Sequence, residues 1–484
     1  MPYARAIAAI AIVLAAPACS RDNPVQLAVI APPDGGDPFL GADAATQARI
    51  TYEADVPVVR TVAVSSNGSF QIPLPPSDPQ RPVRVRVEAL RGDRVIGAGA
   101  TPFVRWGQQG GQLVAVFVQY CDTLAEGPVT LATGRADFEP IALGLQAIIA
   151  VTSPPGETTA RAPDAYDLLH HARTSPFVQT VPALFDGETT IIRLRDTWLL
   201  QRRDVTLNYT GNQPTPSPEI PAGRAALTAG TVVSDGTTYS MIFGGADSAG
   251  QPSDRVDVLS FASGAFGVDM ARTLATPRRR PAVFLLQAAT DALASRWLVA
   301  GGQADGAPLF EAYGPQGSTG ALSLGDPELE VRSRATVVVY SSETDHPLVL
   351  LLGGVNRDGS LAMDDALIDG DCLLRTPGSC TAVLSRGPWL SHRRHSARGA
   401  LADGGRVVIA GGRDAAGPVM DVESVLVDPP GRPAPGRVLA TLAVTDPSLI
   451  GVSTGNVVVL GGRGMDGAAG QGVWFYRGCS AARP

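Results

Sequence analysis

The chain has 484 residues, enough for two or three domains. It is 18% charged and 44% hydrophobic, too apolar for a disordered chain, and its 54 glycines and 40 prolines suit many short strands better than long helices. Net charge is −7, which argues against nucleic acid as the main partner, and all 39 Lys or Arg residues are arginine.

The first segment reads as an address. Arg5 precedes an apolar run from Ala6 to Ala16, too short to span a bilayer but suited to a signal-peptide core. Ala16-Pro17-Ala18 supplies an A-x-A cleavage site, so residues 1–18 are expected to be removed. Cys19 follows directly, and the region resembles a bacterial lipobox, although Ala16 stands where such boxes usually carry Leu. The resemblance implies a lipid on Cys19. Ser20 next to it is similar to outer-membrane lipoproteins, facing either the periplasm or the cell surface. Membrane contact is then expected only through that lipid.

Residues 19–46 read as a tether rich in Pro and Gly, with one strand at Val25 to Ile30. Residues 47–120 alternate with period two: in Arg84 to Leu90, Val85, Val87 and Ala89 share one face and the charges take the other. Six or seven strands with no helical period predict a small β-sandwich, immunoglobulin-like or similar to carboxypeptidase-regulatory-like sandwiches through Asn67 to Leu74.

A repeat fills the rest. Five apolar strands run into glycine pairs: Gly244-Gly245, Gly301-Gly302, Gly353-Gly354, Gly411-Gly412 and Gly461-Gly462. They recur at intervals of 57, 52, 58 and 50 residues, a period that points to a propeller. An aspartate follows each pair (Asp247, Asp305, Asp358, Asp414, Asp466), read as a turn residue capping nearby N–H groups. An arginine precedes four of them (Arg224, Arg280, Arg334, Arg394), read as structural. The pattern resembles the kelch repeat, best at Trp389 to Asp428, and covers residues 220–476. Two glycine-less segments fit the rhythm upstream. Ala147 to Ala150 precedes Asp164 to Asp167, and Thr190 to Ile192 precedes Asp204 to Leu207, with pair positions near Val151 and Arg193. The expected fold is therefore all-β, with a sandwich followed by a kelch-like β-propeller over 126–484. It has seven blades, or six if those two segments form one irregular unit.

Closure of such a ring needs a fourth strand for the last unit, and Val129 to Ala132 can supply it. That places Cys121 near Cys479. With Cys19 acylated, the four remaining cysteines are expected to pair as Cys121–Cys479 and Cys372–Cys380 in an oxidising compartment. No C-x-x-C is present, which speaks against structural zinc.

Few residues suggest chemistry. Gly451-Val452-Ser453-Thr454-Gly455 has the spacing of a nucleophile elbow, but a strand follows where a helix is needed. Gly462 to Gly467 has dinucleotide-loop spacing and lacks the helix too. His392 and His395 stand at the opening of a blade, and His170, His171 and His346 show no ligand spacing. No catalytic residue, metal or cofactor is expected. The expected function is an envelope-anchored binding or scaffold protein that presents a propeller face to a protein or glycan. The alternative is a propeller enzyme, hydrolytic or resembling galactose oxidase, acting on extracellular carbohydrate.

Overall fold

The computed structural model describes residues 26–479 except 35, 73–80, 107–112, 137, 139, 144–146, 151–163, 175–189, 195–196, 203–204, 211–212, 217–227, 235–236, 248, 263–264, 288–294, 315–316, 342–346, 374–381 and 429–431. Residues 1–18, expected as a signal segment, and Cys19, Arg224 and Cys380 lie outside these. The protein is all-β. Its two helices among the described residues, Pro327–Glu330 and Gly370–Leu373, are single turns, and neither is long and apolar enough to cross a membrane.

In the N-terminal region Gln26–Ile30 pairs in parallel with Leu113–Phe117. A second sheet runs in the order Val58–Ala63, Gln47–Glu53, Pro82–Arg91, Arg94–Ala100, Gln119–Tyr120, and Val104–Arg105 also pairs with Pro82–Arg91. Alternation does what the sequence predicts. Val83, Val85, Val87 and Ala89 of one strand and Val114 and Val116 of another enter one core with Ile50 and Tyr52. Residues from 26 onward, expected as tether, are built into this unit: Phe39 and Ala45 are buried in the same core.

Among the described residues, seven antiparallel sheets of four or five strands follow, and a two-stranded ladder pairs Val444–Thr445 with Arg463–Gly464. Sheet one is Ile141–Leu143, Ala147–Ala150, Asp164–Asp167, Ala172–Thr174; sheet two is Thr190–Leu194, Thr197–Arg202, Val205–Thr210, Gln213–Pro216. Sheet three is Thr228–Ser234, Thr237–Phe243, Ser253–Ala262, Ala265–Arg278; sheet four is Ala282–Gln287, Arg296–Ala300, Phe310–Gly314, Gly317–Ala321. Sheet five is Thr336–Ser341, Pro347–Leu352, Asp365–Asp369, Val383–Gly387; sheet six is Arg398–Ala402, Arg406–Ala410, Asp421–Asp428, Arg437–Thr441, with Arg432–Pro433 folded onto the third strand. Sheet seven is Ser448–Gly451, Asn456–Leu460, Val473–Arg477 and, from far upstream, Leu124–Glu126.

Two expectations are corrected. In sheet two, Thr190–Leu194 is the first strand and Thr197–Arg202 the second, where the sequence placed Thr190 to Ile192 second. Two successive apolar strands stand there without a glycine pair to mark which is which. In sheet seven the borrowed strand is Leu124–Glu126, not Val129 to Ala132. Pro128 has no N–H for a ladder, so regular pairing stops before it. The chain still tracks its neighbour through Gly127 N–H to Val473 O (2.7 Å), Leu131 N–H to Gln471 O (2.9 Å) and Arg135 N–H to Gly470 O (2.8 Å).

The second strands of sheets four to seven are apolar and buried along nearly their whole length, most fully in Asn456–Leu460, as strands covered on both faces are. Met241, Phe243 and Val256 of sheet three pack on Trp297 and Tyr313 of sheet four. Val349 and Ile368 of sheet five meet Leu298 of sheet four. Val407 and Ile409 of sheet six meet Leu350 and Leu352 of sheet five, and Val457 and Val459 of sheet seven meet Val408 and Val422 of sheet six. Sheet seven then meets sheet one, where Phe475, Val458 and Leu460 pack with Tyr166 and Leu168, joined by Phe117 of the N-terminal region.

The borrowed strand of sheet seven is also tied covalently, since Cys121 precedes Leu124–Glu126 and Cys479 follows Val473–Arg477. Cys121 is bonded to Cys479 across 358 residues, with Cα atoms 5.3 Å apart, as the sequence predicts. Next to it Asp122 takes a two-pronged ion pair from Arg406 (2.7 and 3.0 Å) and accepts from the Tyr476 hydroxyl (3.1 Å). A second network ties the N-terminal sheet to sheets six and seven. Glu53 holds Arg84 (2.5 Å) and Arg86 (3.0 Å), while Asp403 accepts from Arg86 (3.1 Å) and Arg477 (3.3 Å). Burial pulls the Arg477 guanidinium down to about 10 against the attraction of Asp403. Cys372 is disulfide-bonded as well; its expected partner Cys380 lies outside the described residues.

Candidate functional site

One face of the seven-sheet body is built by a repeated device. Both glycines of each pair have positive φ, from 56° at Gly353 to 104° at Gly245. A side chain would strain the backbone there and would also collide. A Cβ on Gly412 would stand 2.6 Å from the His395 carbonyl oxygen, and one on Gly462 2.8 Å from that of Thr445. The close approach serves a joint. Gly245 N–H donates to Arg278 O (2.9 Å), Gly354 N–H to Arg394 O (3.0 Å) and Gly462 N–H to Arg135 O (2.9 Å). Arg394 stands just before sheet six and Arg135 just before sheet one, each a different sheet from that of its glycine, while Arg278 ends sheet three itself, where the chain leaves for sheet four. Arg135 opens sheet one, so the last glycine pair makes towards sheet one the contact that the third makes towards sheet six.

The carbonyls used in these joints belong to fully buried arginines. Arg394 donates to Gly411 O (3.1 Å), Asp421 O (2.8 Å) and Glu423 (2.6 Å). Arg278 donates to Gly301 O (2.8 Å), Leu309 O (3.0 Å) and Pro308 O (2.9 Å), with Glu311 at 3.5 Å. Arg332 takes Asp364 (2.8 Å) and Arg135 takes Asp164 (3.1 Å). Burial lowers the proton affinity of Arg278 and Arg394, while Glu311 and Glu423 oppose it. The forks of Arg278, Arg332 and Arg394 reach the segment that follows a glycine pair, while Arg135 reaches Asp164 of sheet one, which has no such pair. The opening arginines read from spacing are thus two residues late in two sheets: Arg278 and Arg332 are buried, whereas Arg280 and Arg334 have φ of 49° and 54°. Spacing alone could not separate neighbouring arginines. The acidic partners Asp164, Glu311, Asp364 and Glu423, on or just before the third strands, were missed. Asp365, its carboxyl raised by burial, accepts from the Gly353, Trp389 and Leu390 amides, each at 2.8 Å.

The turns after the pairs share one frame. Asp247 accepts from the Ala249 and Gln251 amides (2.8 and 2.9 Å), Asp358 from Ser360 (2.9 Å), Asp414 from Ala416 and Gly417 (2.7 and 2.8 Å), and Asp466 from Ala468 (2.9 Å). These four cap turns as expected. Asp305 instead faces Arg334 at 3.3 Å. Between the caps the side chains differ, and Met363 and Met465 stand 71% and 85% exposed.

His392 and His395 do not converge. Both nitrogens of His392 are taken, by Asp414 (2.8 Å) and Asp421 (3.2 Å), and these hydrogen bonds raise its proton affinity above the ordinary histidine value. His395 is lowered, first by partial burial and then by Arg334 and Arg413. His171, at φ 49°, is buried between Phe117, Tyr166 and Phe475 with Nδ1 3.0 Å from the Tyr166 hydroxyl; burial holds it down at about 3. His170 pairs with Asp167 at 2.5 Å, and His346 lies outside the described residues. Among the described residues no group of three or more His, Cys, Asp or Glu is arranged to hold a metal. The turn at 452–455 joins Ser448–Gly451 to Asn456–Leu460, and the chain after Gly467 enters Val473–Arg477, so neither motif meets a helix.

No protein-family profile matches the chain, and no curated protein matches it. Among solved structures it is similar to a fungal alcohol oxidase with catalytic diversity among the AA5 family, in complex with copper. Identity is 14%, the match covers 73% of this chain and 75% of that one, and the TM-score is 0.44.

Proposed function

We propose that the seven sheets are blades of a closed kelch-like propeller carried on a β-sandwich, exported as a lipoprotein on Cys19, and that the protein is a non-catalytic binding module. Its ligand, a protein or a glycan, meets the face formed by the turns after the glycine pairs. The observation that carries this reading is the separation of frame from content on that face. Glycine pairs, buried arginine forks and aspartate caps fix the backbone of the turns, while the side chains between the caps change from sheet to sheet. A rigid scaffold with variable loops is the arrangement in which a site changes without disturbing the fold.

The cysteines favour this reading over a galactose-oxidase-like enzyme. Such an oxidase needs a thiol for a cysteine–tyrosine cross-link, and Cys121, Cys479 and Cys372 are in disulfides. A binding screen of the exported chain against glycans and envelope proteins tests the function. Saturable binding lost on altering the turn face supports it; turnover of a carbohydrate with no separable binding partner contradicts it. Mass spectrometry of the N-terminus tests the address, since an unmodified Cys19 rules out the anchor.

A further inference from the structure

We propose that Arg334, His395 and Arg413 form an anion subsite on the turn face and that its ligand is a uronate polysaccharide, bound through its carboxylates. This deepens the binding-face reading and rests on it.

The three side chains come from two neighbouring sheets but are held together by the backbone. His395 and Arg413 exchange both backbone hydrogen bonds, each 2.9 Å, so they are a directly opposed pair whose side chains leave on the same side. Ser396 N–H donates to Arg334 O (2.7 Å), which docks the opening of sheet six onto that of sheet five. The two guanidiniums are close enough to depress the proton affinity of His395. Arg334 is 54% exposed and its ion pair is with Asp305, itself 68% exposed. A pair so open to water is worth little and yields readily to a competing anion. Asp414, the nearest turn carboxylate in sequence, is turned to His392 and to its own turn amides. The result is two guanidiniums flanking a histidine that they and partial burial hold toward its neutral form, on a chain of net −7.

The surroundings select the ligand. A peptide binding as an added strand needs free backbone donors and acceptors, but the turn amides here are committed to aspartate caps. A neutral sugar is usually held by stacking on an aromatic ring, and no aromatic is among the exposed large apolar side chains of the described residues. What the face offers is planar guanidinium, which matches carboxylate two-pronged.

The test titrates the whole exported chain with polygalacturonate, and in parallel with polyglutamate and a neutral glucan. Polygalacturonate is expected to bind, to weaken with added salt, and to lose at least tenfold in affinity in R334A/R413A with the melting temperature unchanged. Polyglutamate binding as tightly, or polygalacturonate binding that survives the double substitution, overturns the proposal. So does failure of polygalacturonate to bind. In that case the binding-face reading stands if the wider screen finds a ligand at the same turns, and falls with it if the screen finds none.

Discussion

The joint between sheets five and six and the junction between sheets seven and one use the same contact. A glycine with positive φ donates its amide to the carbonyl of a buried arginine: Gly354 to Arg394 in one, Gly462 to Arg135 in the other. They differ in what surrounds it. Sheets five and six are consecutive in the chain, and that joint carries packing, the arginine fork and hydrogen bonds such as Ser396 N–H to Arg334 O, with no disulfide and no borrowed strand. Sheets seven and one are far apart in the chain, and around their contact stand buried His171 and the borrowed strand Leu124–Glu126, which the Cys121–Cys479 bond ties to the end of Val473–Arg477 and the Asp122–Arg406 pair ties to sheet six. An internal joint is held closed by chain connectivity, whereas an end-to-end junction must be held by added bonds. Without them each terminal sheet would present an open edge.

The largest expected effect breaks that difference. C121S/C479S removes a link closing 358 residues, which by the chain-entropy model contributes roughly 5 kcal/mol. The denaturation midpoint should fall sharply, with hydrogen exchange accelerating first in Leu124–Glu126 and Val473–Arg477. Uniform loss across all sheets would contradict a seam. Next, R394A leaves Glu423 buried without its partner and should cost about 3–5 kcal/mol at an internal joint. R135A should cost a similar amount at the junction, because Asp164 is left in the same position. An effect below ~1 kcal/mol at either would show that the fork is dispensable.

His171 sharpens the comparison by pH. Its folded proton affinity is depressed to about 3, below its ordinary value of 6.5, so the unfolded chain binds the extra proton between those values. Stability should therefore fall as pH drops from about 6.5 toward 3, by several kcal/mol in all. H171N, which tolerates the left-handed backbone, should flatten that part of the curve in chemical denaturation at stepped pH. An unchanged slope would place the acid sensitivity elsewhere. His392 has the opposite sign and the smallest effect. Asp414 and Asp421 raise it, so its contribution is present below pH 6.5 and is lost as pH rises through the raised value. NMR titration of the imidazole should show that upward shift, and H392N should abolish the contribution while leaving the fold intact.

The sequence carried the sheets wherever glycine marked them. A left-handed pair at the end of an apolar strand cannot be replaced without strain, so its recurrence marks the same place in each of five sheets. Cys121 and Cys479 were legible because a borrowed strand requires their neighbourhoods to meet. Sheet two was misread by one strand because nothing local distinguishes Thr190–Leu194 from Thr197–Arg202. Arg278 and Arg332 were passed over for Arg280 and Arg334 because burial is a property of the folded joint, and alternate residues of one segment differ only in which side they leave. The carboxylates that receive those forks gave a fainter signal, an acid on or just before a third strand.

The measurement that bears most directly on closure is a non-reducing peptide map of the native protein. Closure predicts one cross-linked peptide joining Cys121 to Cys479. Recovery of Cys121 joined to Cys372 or Cys380, or as a free thiol in the native protein, would contradict it.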